Sequence, residues 1–213
     1  MSKVKRLVLN VSAICCLACW AKSQPVVVKR LLPEHCSAPR PSSQPVTHIM
    51  IHFCSAVKQH PTNPYDLASI CQIFEDYGVS AHYLIARDGT IYQLVKENRI
   101  AYHAGKGKLP FPPYLENSFN SCSIGIELMA IGTQQEMSAY LSAEEYNRLN
   151  KNHIGFTQAQ YWSLSWLIDD ICRRHPQIKR DRWHIVGHDQ YAPKRKTDPG
   201  SLFDWSRIGL TNN

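Results

Sequence analysis

The chain has 213 residues, enough for one domain with a substantial core or a domain with short extensions. It carries 24 Lys+Arg against 17 Asp+Glu, a formal charge of +7. The excess of positive charge is concentrated at the amino terminus. Lys3, Lys5 and Arg6 precede an apolar run from Leu7 to Trp20, and Ala21-Lys22-Ser23 follows with small residues at the spacing a signal peptidase reads. Asn10 and Ser12 interrupt a run already short for a membrane span. Residues 1–23 are therefore expected to be a signal peptide, the protein being exported to a bacterial periplasm or cell envelope. The alternative is an outer-membrane lipoprotein. Leu17-Ala18-Cys19 places a small residue before a cysteine, although Cys16 stands where an aliphatic residue is expected.

Without that segment 20 basic side chains face 17 acidic ones, which excludes the concentrated basic face that nucleic-acid binding requires. Five cysteines remain, Cys36, Cys54, Cys71, Cys122 and Cys172, with no C-x-x-C spacing among them. They allow at most two bridges, whose pairing the sequence leaves open, and exclude a dense disulfide framework. Most read as small buried hydrophobes.

Residues 24–45 hold five prolines and little apolar periodicity, which predicts a linker or loosely packed arm before a domain over 46–213. Val46 to His52 alternates as a strand, with Thr47, Ile49 and Ile51 on one face and His48, Met50 and His52 on the other. Asn63 as cap, Pro64 at the first helical position and Asp66 in the first turn predict a helix there. Leu67, Ile70, Cys71 and Phe74 form its buried stripe, and Gly78 ends it. Ala81–Arg87 and Thr90–Val95 flank Asp88-Gly89 as a hairpin. Residues 104–120, rich in Gly and Pro, predict a long exposed loop of the kind that binds ligands.

Ser123 to Ile131 reads as a central strand with Glu127 in its middle. A short helix is expected around Ser142 to Asn150, within a polar stretch. Thr157 and Gln160 form a capping box that opens the most regular helix, with Tyr161, Leu164, Ile168 and Ile171 on one face. A last strand, Trp183 to Val186, delivers Gly187-His188. The expected fold is α/β (α+β), a central mixed β-sheet flanked by helices.

His52 and His188 each close a strand, and Asp198 follows in Lys196-Thr197-Asp198-Pro199-Gly200. Two imidazoles and one carboxylate form a donor set that leaves a tetrahedral zinc one open position, as in catalytic sites. His35, His60, His153 and His175 fall in loops or at helix ends and read as surface residues. Glu127 inside an apolar run costs several kcal/mol unless paired. It is either an ion-pair partner of an Arg or Lys, or a general base facing a polar cleft.

Six motifs in order carry a resemblance. They are Ile49-Met50-Ile51-His52, then Val79 to Ile85 with Arg87-Asp88-Gly89, and Tyr102-His103-Ala104-Gly105. Asn120 with Ser123-Ile124-Gly125-Ile126-Glu127, Gly187-His188, and Ala192-Pro193 through Gly200 complete them. From Thr47 to Ile208 the chain resembles the zinc-dependent N-acetylmuramoyl-L-alanine amidases of the type 2 amidase superfamily, which includes phage lysins and peptidoglycan recognition proteins.

That resemblance implies a zinc cleft at the sheet edge holding one Zn2+ per chain on His52, His188 and Asp198. Glu127 is then the base, Lys196 the electrophilic helper, and His103 and Asn120 line the substrate cleft. The implied reaction is hydrolysis of the amide between the lactyl group of N-acetylmuramic acid and L-alanine, in peptidoglycan or its fragments. The alternatives are a peptidoglycan-binding module without catalysis, or a zinc peptidase cutting the stem peptide. One departure is Cys54, two residues after His52, which brings a potential competing ligand toward the metal.

Overall fold

A computed structural model describes residues 24–211. The expected signal peptide at 1–23 lies outside them. The described chain forms eight strands, β1 (Val27–Lys29), β2 (Ser37–Pro39), β3 (His48–Cys54), β4 (Tyr83–Ile85), β5 (Ile91–Gln93), β6 (Arg99–Ala101), β7 (Ser123–Met129) and β8 (Ile185–Gly187). Five α-helices accompany them, α1 (Leu67–Asp76), α2 (Phe119–Cys122), α3 (Ala143–Asn147), α4 (Gln158–Arg174) and α5 (His188–Tyr191). Six strands make one sheet in the order β1-β5-β4-β7-β3-β8, and β2 pairs with β6 apart from it. Within the large sheet only the β4–β5 hairpin is antiparallel. The mixed sheet is as expected.

Alternation along the central strands divides the core between the two faces. Ile49 and Ile51 of β3 and Ile124 and Ile126 of β7 pack with Tyr161, Leu164, Ile168 and Ile171 of α4. The Thr157–Gln160 capping box opens α4 as the sequence predicts. Each of those fully enclosed aliphatic side chains stabilises the fold by about 1.5–3 kcal/mol. Ile70, Cys71 and Phe74 of α1 form a separate cluster with Leu84 and Met129. Met50 and Val186 meet Leu109, Phe119 and Tyr191 in a third. The five cysteines among the described residues are all free.

Four local features differ from expectation. Residues 24–45 are sewn into the fold. Val27–Lys29 adds an edge strand beside β5, Leu32 and Cys36 enter the α1 cluster, and Arg40 donates to the carbonyls of Glu97, Arg99, Ser121 and Ser123. Proline spacing conceals this, because the order comes from partners elsewhere in the chain. Helix α1 begins at Leu67, where Asp66 caps it by accepting from Ser69 N at 2.8 Å. The Pro64 carbonyl is taken by Ala56 N, so Pro64 belongs to the preceding turn.

The last strand is shifted to Ile185–Gly187 and leaves Trp183 exposed, so His188 starts α5. Segment 104–120 remains mostly irregular, but Ala104, Leu109 and Phe119 anchor it in the core. Asp88-Gly89 makes the predicted turn, with Gly89 at φ +90° and Asp88 accepting from Thr90 N. Among the described residues no helix is long and apolar enough to cross a membrane.

Candidate metal centre

Strands β7, β3 and β8 run parallel, and open α/β sheets place ligands beyond the carboxyl ends of such strands. His52 lies near that end of β3, and Glu127 sits directly across from it in register on β7. His188 follows β8 without a linker. Asp198 arrives from a loop fixed at several points. Asp189 N donates to the Asp198 carbonyl at 2.8 Å, and the Arg195 guanidinium donates to the carbonyls of Ala104 and Lys106.

Glu136 braces the far side of this loop. Its carboxylate accepts from Thr133 N and Ser201 N, both at 2.7 Å, and from Ser201 Oγ at 2.9 Å. Gly200, at φ +77°, lies so close that a Cβ would come within 2.7 Å of Glu136 Oε1. Sequence reasoning missed Glu136 and Arg195, since their partners are scattered through the chain.

Three donors converge. His52 Nδ1 lies 2.7 Å and His188 Nδ1 3.1 Å from Asp198 Oδ2. Candidate ligand atoms on the three residues all fall within 4.8 Å of one another. Both histidines are only 2% exposed. His188 Nε2 is 2.9 Å from the Ala104 carbonyl, which can only accept, so that nitrogen carries a proton and Nδ1 is the atom turned toward Asp198. Burial pushes His52 down to about 4, so it resists protonation at neutral pH. Burial raises Asp198, but the two imidazoles facing it outweigh that and keep its carboxyl well below the usual range. The two Nδ1 atoms and the carboxylate oxygen are close enough together to bind one cation in place of the protons they would otherwise share. This donor set fits zinc.

Glu127 borders the centre. Its Oε2 is buried with no hydrogen-bond partner among the described residues. Burial and the Asp198 carboxylate push it up to about 8, against the opposing pull of Lys196. Lys196 is half-buried, and its charge bears on both Glu127 and His52.

Cys54 stands beside Glu127 and is not among the converging donors. Burial and the Glu127 charge hold its thiol well above the ordinary value, leaving little of the thiolate that binds metals. His103 and Asn120 also reach the site. Asn120 Oδ1 accepts from His103 N at 3.1 Å and from Ala104 N at 2.8 Å, shaping the backbone that faces His188. His103 Nδ1 is 3.1 Å from His52 Nε2.

Comparison with known proteins agrees with this architecture. Residues 42–201 match the Amidase_2 family, N-acetylmuramoyl-L-alanine amidase. The 1,6-anhydro-N-acetylmuramyl-L-alanine amidase AmpD of Haemophilus influenzae is 34% identical over 79% of this chain and 83% of its own length. The N-acetylmuramoyl-L-alanine amidase AmiD of Escherichia coli is 33% identical over 67% of the chain, which spans about half of that protein (48%).

Among solved structures, a selenomethionine derivative of AmpD superposes with a TM-score of 0.57 at 28% identity, covering 87% of this chain and 93% of its own. Escherichia coli AmiD in complex with anhydro-N-acetylmuramic acid-L-Ala-D-gamma-Glu-L-Lys gives 0.57 at 30% identity, over 80% of this chain and 58% of its own. The fold is an α/β sheet of the amidase type that carries a candidate His-His-Asp metal site at the ends of its parallel strands. The chain belongs to the N-acetylmuramoyl-L-alanine amidase family.

Proposed function

We propose that this protein hydrolyses the amide bond between the lactyl group of N-acetylmuramic acid and L-alanine in peptidoglycan fragments, using one zinc ion held by His52, His188 and Asp198. The observation that carries this is the convergence of two imidazole nitrogens and a carboxylate oxygen beside a buried carboxyl with an unpartnered oxygen. Zinc bound there supplies a Lewis acid that polarises the scissile carbonyl and acidifies water.

Glu127 is the general base. It takes the proton of the attacking water on Oε2 and returns it to the departing alanine nitrogen, so one carboxyl serves both halves of the reaction. Lys196 stabilises negative charge developing on the carbonyl oxygen, worth roughly 3 kcal/mol for a well-placed group. Arg195 and Glu136 hold the loop that presents Lys196 and Asp198. The kinship to AmpD and AmiD, whose names and bound ligand specify muramyl-L-alanine chemistry, supports this substrate class over a peptide bond within the stem.

Mass spectrometry of muropeptides incubated with the zinc-loaded protein tests the reading. Free stem peptides beginning with L-alanine are expected. Peptides cut internally would make it a stem-peptide peptidase, and binding without cleavage would make it a recognition module. We further propose export to the cell envelope, supported by the basic, apolar and small-residue order of residues 1–23. An intact mass that retains this segment unmodified would refute that.

A further inference from the structure

Ser123, Gly125 and Glu127 alternate along β7 opposite His48, Met50 and His52 of β3. Glu127 serves the centre directly, whereas Ser123 and Gly125 meet the imidazole of His103. A Cβ on Gly125 would fall 2.5 Å from His103 Cγ, so glycine allows the ring to lie against the strand. The ring then bridges two partners. Nε2 is 3.1 Å from Ser123 Oγ, and Nδ1 is 3.1 Å from His52 Nε2.

The protons can be placed one by one. Ser123 Oγ lies 2.6 Å from the Phe119 carbonyl, which only accepts, so the single hydroxyl proton points there. Ser123 must then accept from His103 Nε2–H. Among the described residues no carboxylate pairs with the His103 ring, and its Nε2 proton is already directed at Ser123, so Nδ1 is left to accept the proton of His52 Nε2–H. That leaves the His52 lone pair on Nδ1, the atom 2.7 Å from Asp198 Oδ2, where the two would share the proposed cation and not a proton. His82, whose ring meets His103 edge-on, offers it no proton, because its Nδ1 accepts from Gly125 N and its Nε2 faces the Arg99 carbonyl.

We propose that Ser123 and His103 are positioning residues that fix the tautomer of His52, making Nδ1 its metal-binding nitrogen. The inference rests on the metal centre proposed above. It also changes the part expected of His103. Both ring nitrogens are engaged inside the protein, so it acts through His52 and has no nitrogen to offer a substrate.

Outer partners of this kind alter metal affinity by roughly 10- to 100-fold. The test is zinc affinity of the full chain, measured without substrate by competition with a chromophoric chelator. Long-range proton–nitrogen NMR of the imidazoles in the metal-free and the zinc-loaded protein accompanies it. His103→Leu removes the acceptor and is expected to weaken zinc binding within that range. His103→Gln, whose amide can accept from His52 and donate to Ser123, is expected to stay close to wild type, a rescue that mere space-filling does not explain.

Ser123→Ala is expected to lose less and, in the metal-free protein, to show His52 with its proton shared between the two nitrogens, where metal-free wild type shows Nε2–H alone. Wild-type affinity in His103→Leu, or a wild-type His52 protonated on Nδ1, would overturn the proposal. If His103→Leu does not fold, the wild-type and Ser123→Ala spectra decide. Unchanged zinc affinity in His103→Leu alongside muropeptide cleavage by wild type sinks the relay alone. Tight zinc binding without cleavage sinks the amidase reading alone. A wild type that binds no zinc sinks both the relay and the metal centre.

Discussion

Glu127→Gln is expected to abolish turnover while making the metal-free protein more stable. In the metal-free protein burial and Asp198 push the pKa of the proposed base up to about 8, against 4.5 for a free glutamate. A cation bound beside it would lower that value and ionise it. A carboxyl whose pKa is raised on folding binds more protons in the folded state between these two values. Stability from this residue is therefore full below about 4.5 and falls as pH rises toward 8. At pH 7 the difference comes to about 3 kcal/mol at 1.36 kcal/mol per pH unit. Because the residue keeps some solvent exposure, that figure is a ceiling.

Glutamine keeps the shape and removes the titration. In a domain of this size each kcal/mol moves the midpoint by about 2–4 °C, so a rise on the order of 5 °C is expected at pH 7. The assay is thermal unfolding of chelator-treated wild type and variant at pH 5 and pH 8, with muropeptide turnover measured in parallel on zinc-loaded samples. A stability difference that does not grow with pH, or a variant that melts below wild type at pH 8, would refute the assignment of a desolvated carboxyl. Full turnover in the variant would refute the base.

Lys196→Ala should lower kcat more than it raises KM, because its main partner exists only in the transition state, and steady-state kinetics on a soluble muropeptide will show the split. Glu136→Ala leaves Thr133 N and Ser201 N without their carboxylate. For a half-exposed group that costs about 1–2 kcal/mol, read as a lower midpoint together with weaker zinc binding, since the loop bearing Asp198 is freed.

Glu97 supplies the acid limit. Burial raises it, but bonds from His175, Tyr83 and Arg174 outweigh that and bring it to about 2. It should contribute about 3 kcal/mol above pH 4.5 that is lost as pH falls toward 2. Urea unfolding of Glu97→Gln against wild type at pH 7 and pH 3 should show the gap closing in acid, and a constant gap would contradict the linkage.

What the sequence could determine is what local rules govern. Alternation gave β3 its faces, a nearly continuous apolar run marked β7 as central, the Thr157–Gln160 box placed α4, and Asp88-Gly89 placed the hairpin, because each signal is complete within a few residues. The candidate donors were legible too, since imidazole and carboxylate chemistry belongs to the residue type wherever it stands. Tertiary structure decided how those groups act. Proline spacing at 24–45 conceals the packing of Leu32, Cys36 and Arg40, whose partners stand far along the chain.

Nothing near Ser123 in the sequence points to His103. Nothing near Asp198 points to Glu136, and the high pKa of Glu127 comes from enclosure by β3 and the Asp198 loop. A side chain's tautomer and charge answer to the groups around it in space. Those groups are assembled only when parallel strands bring residues 52, 127 and 188 to one end of the sheet.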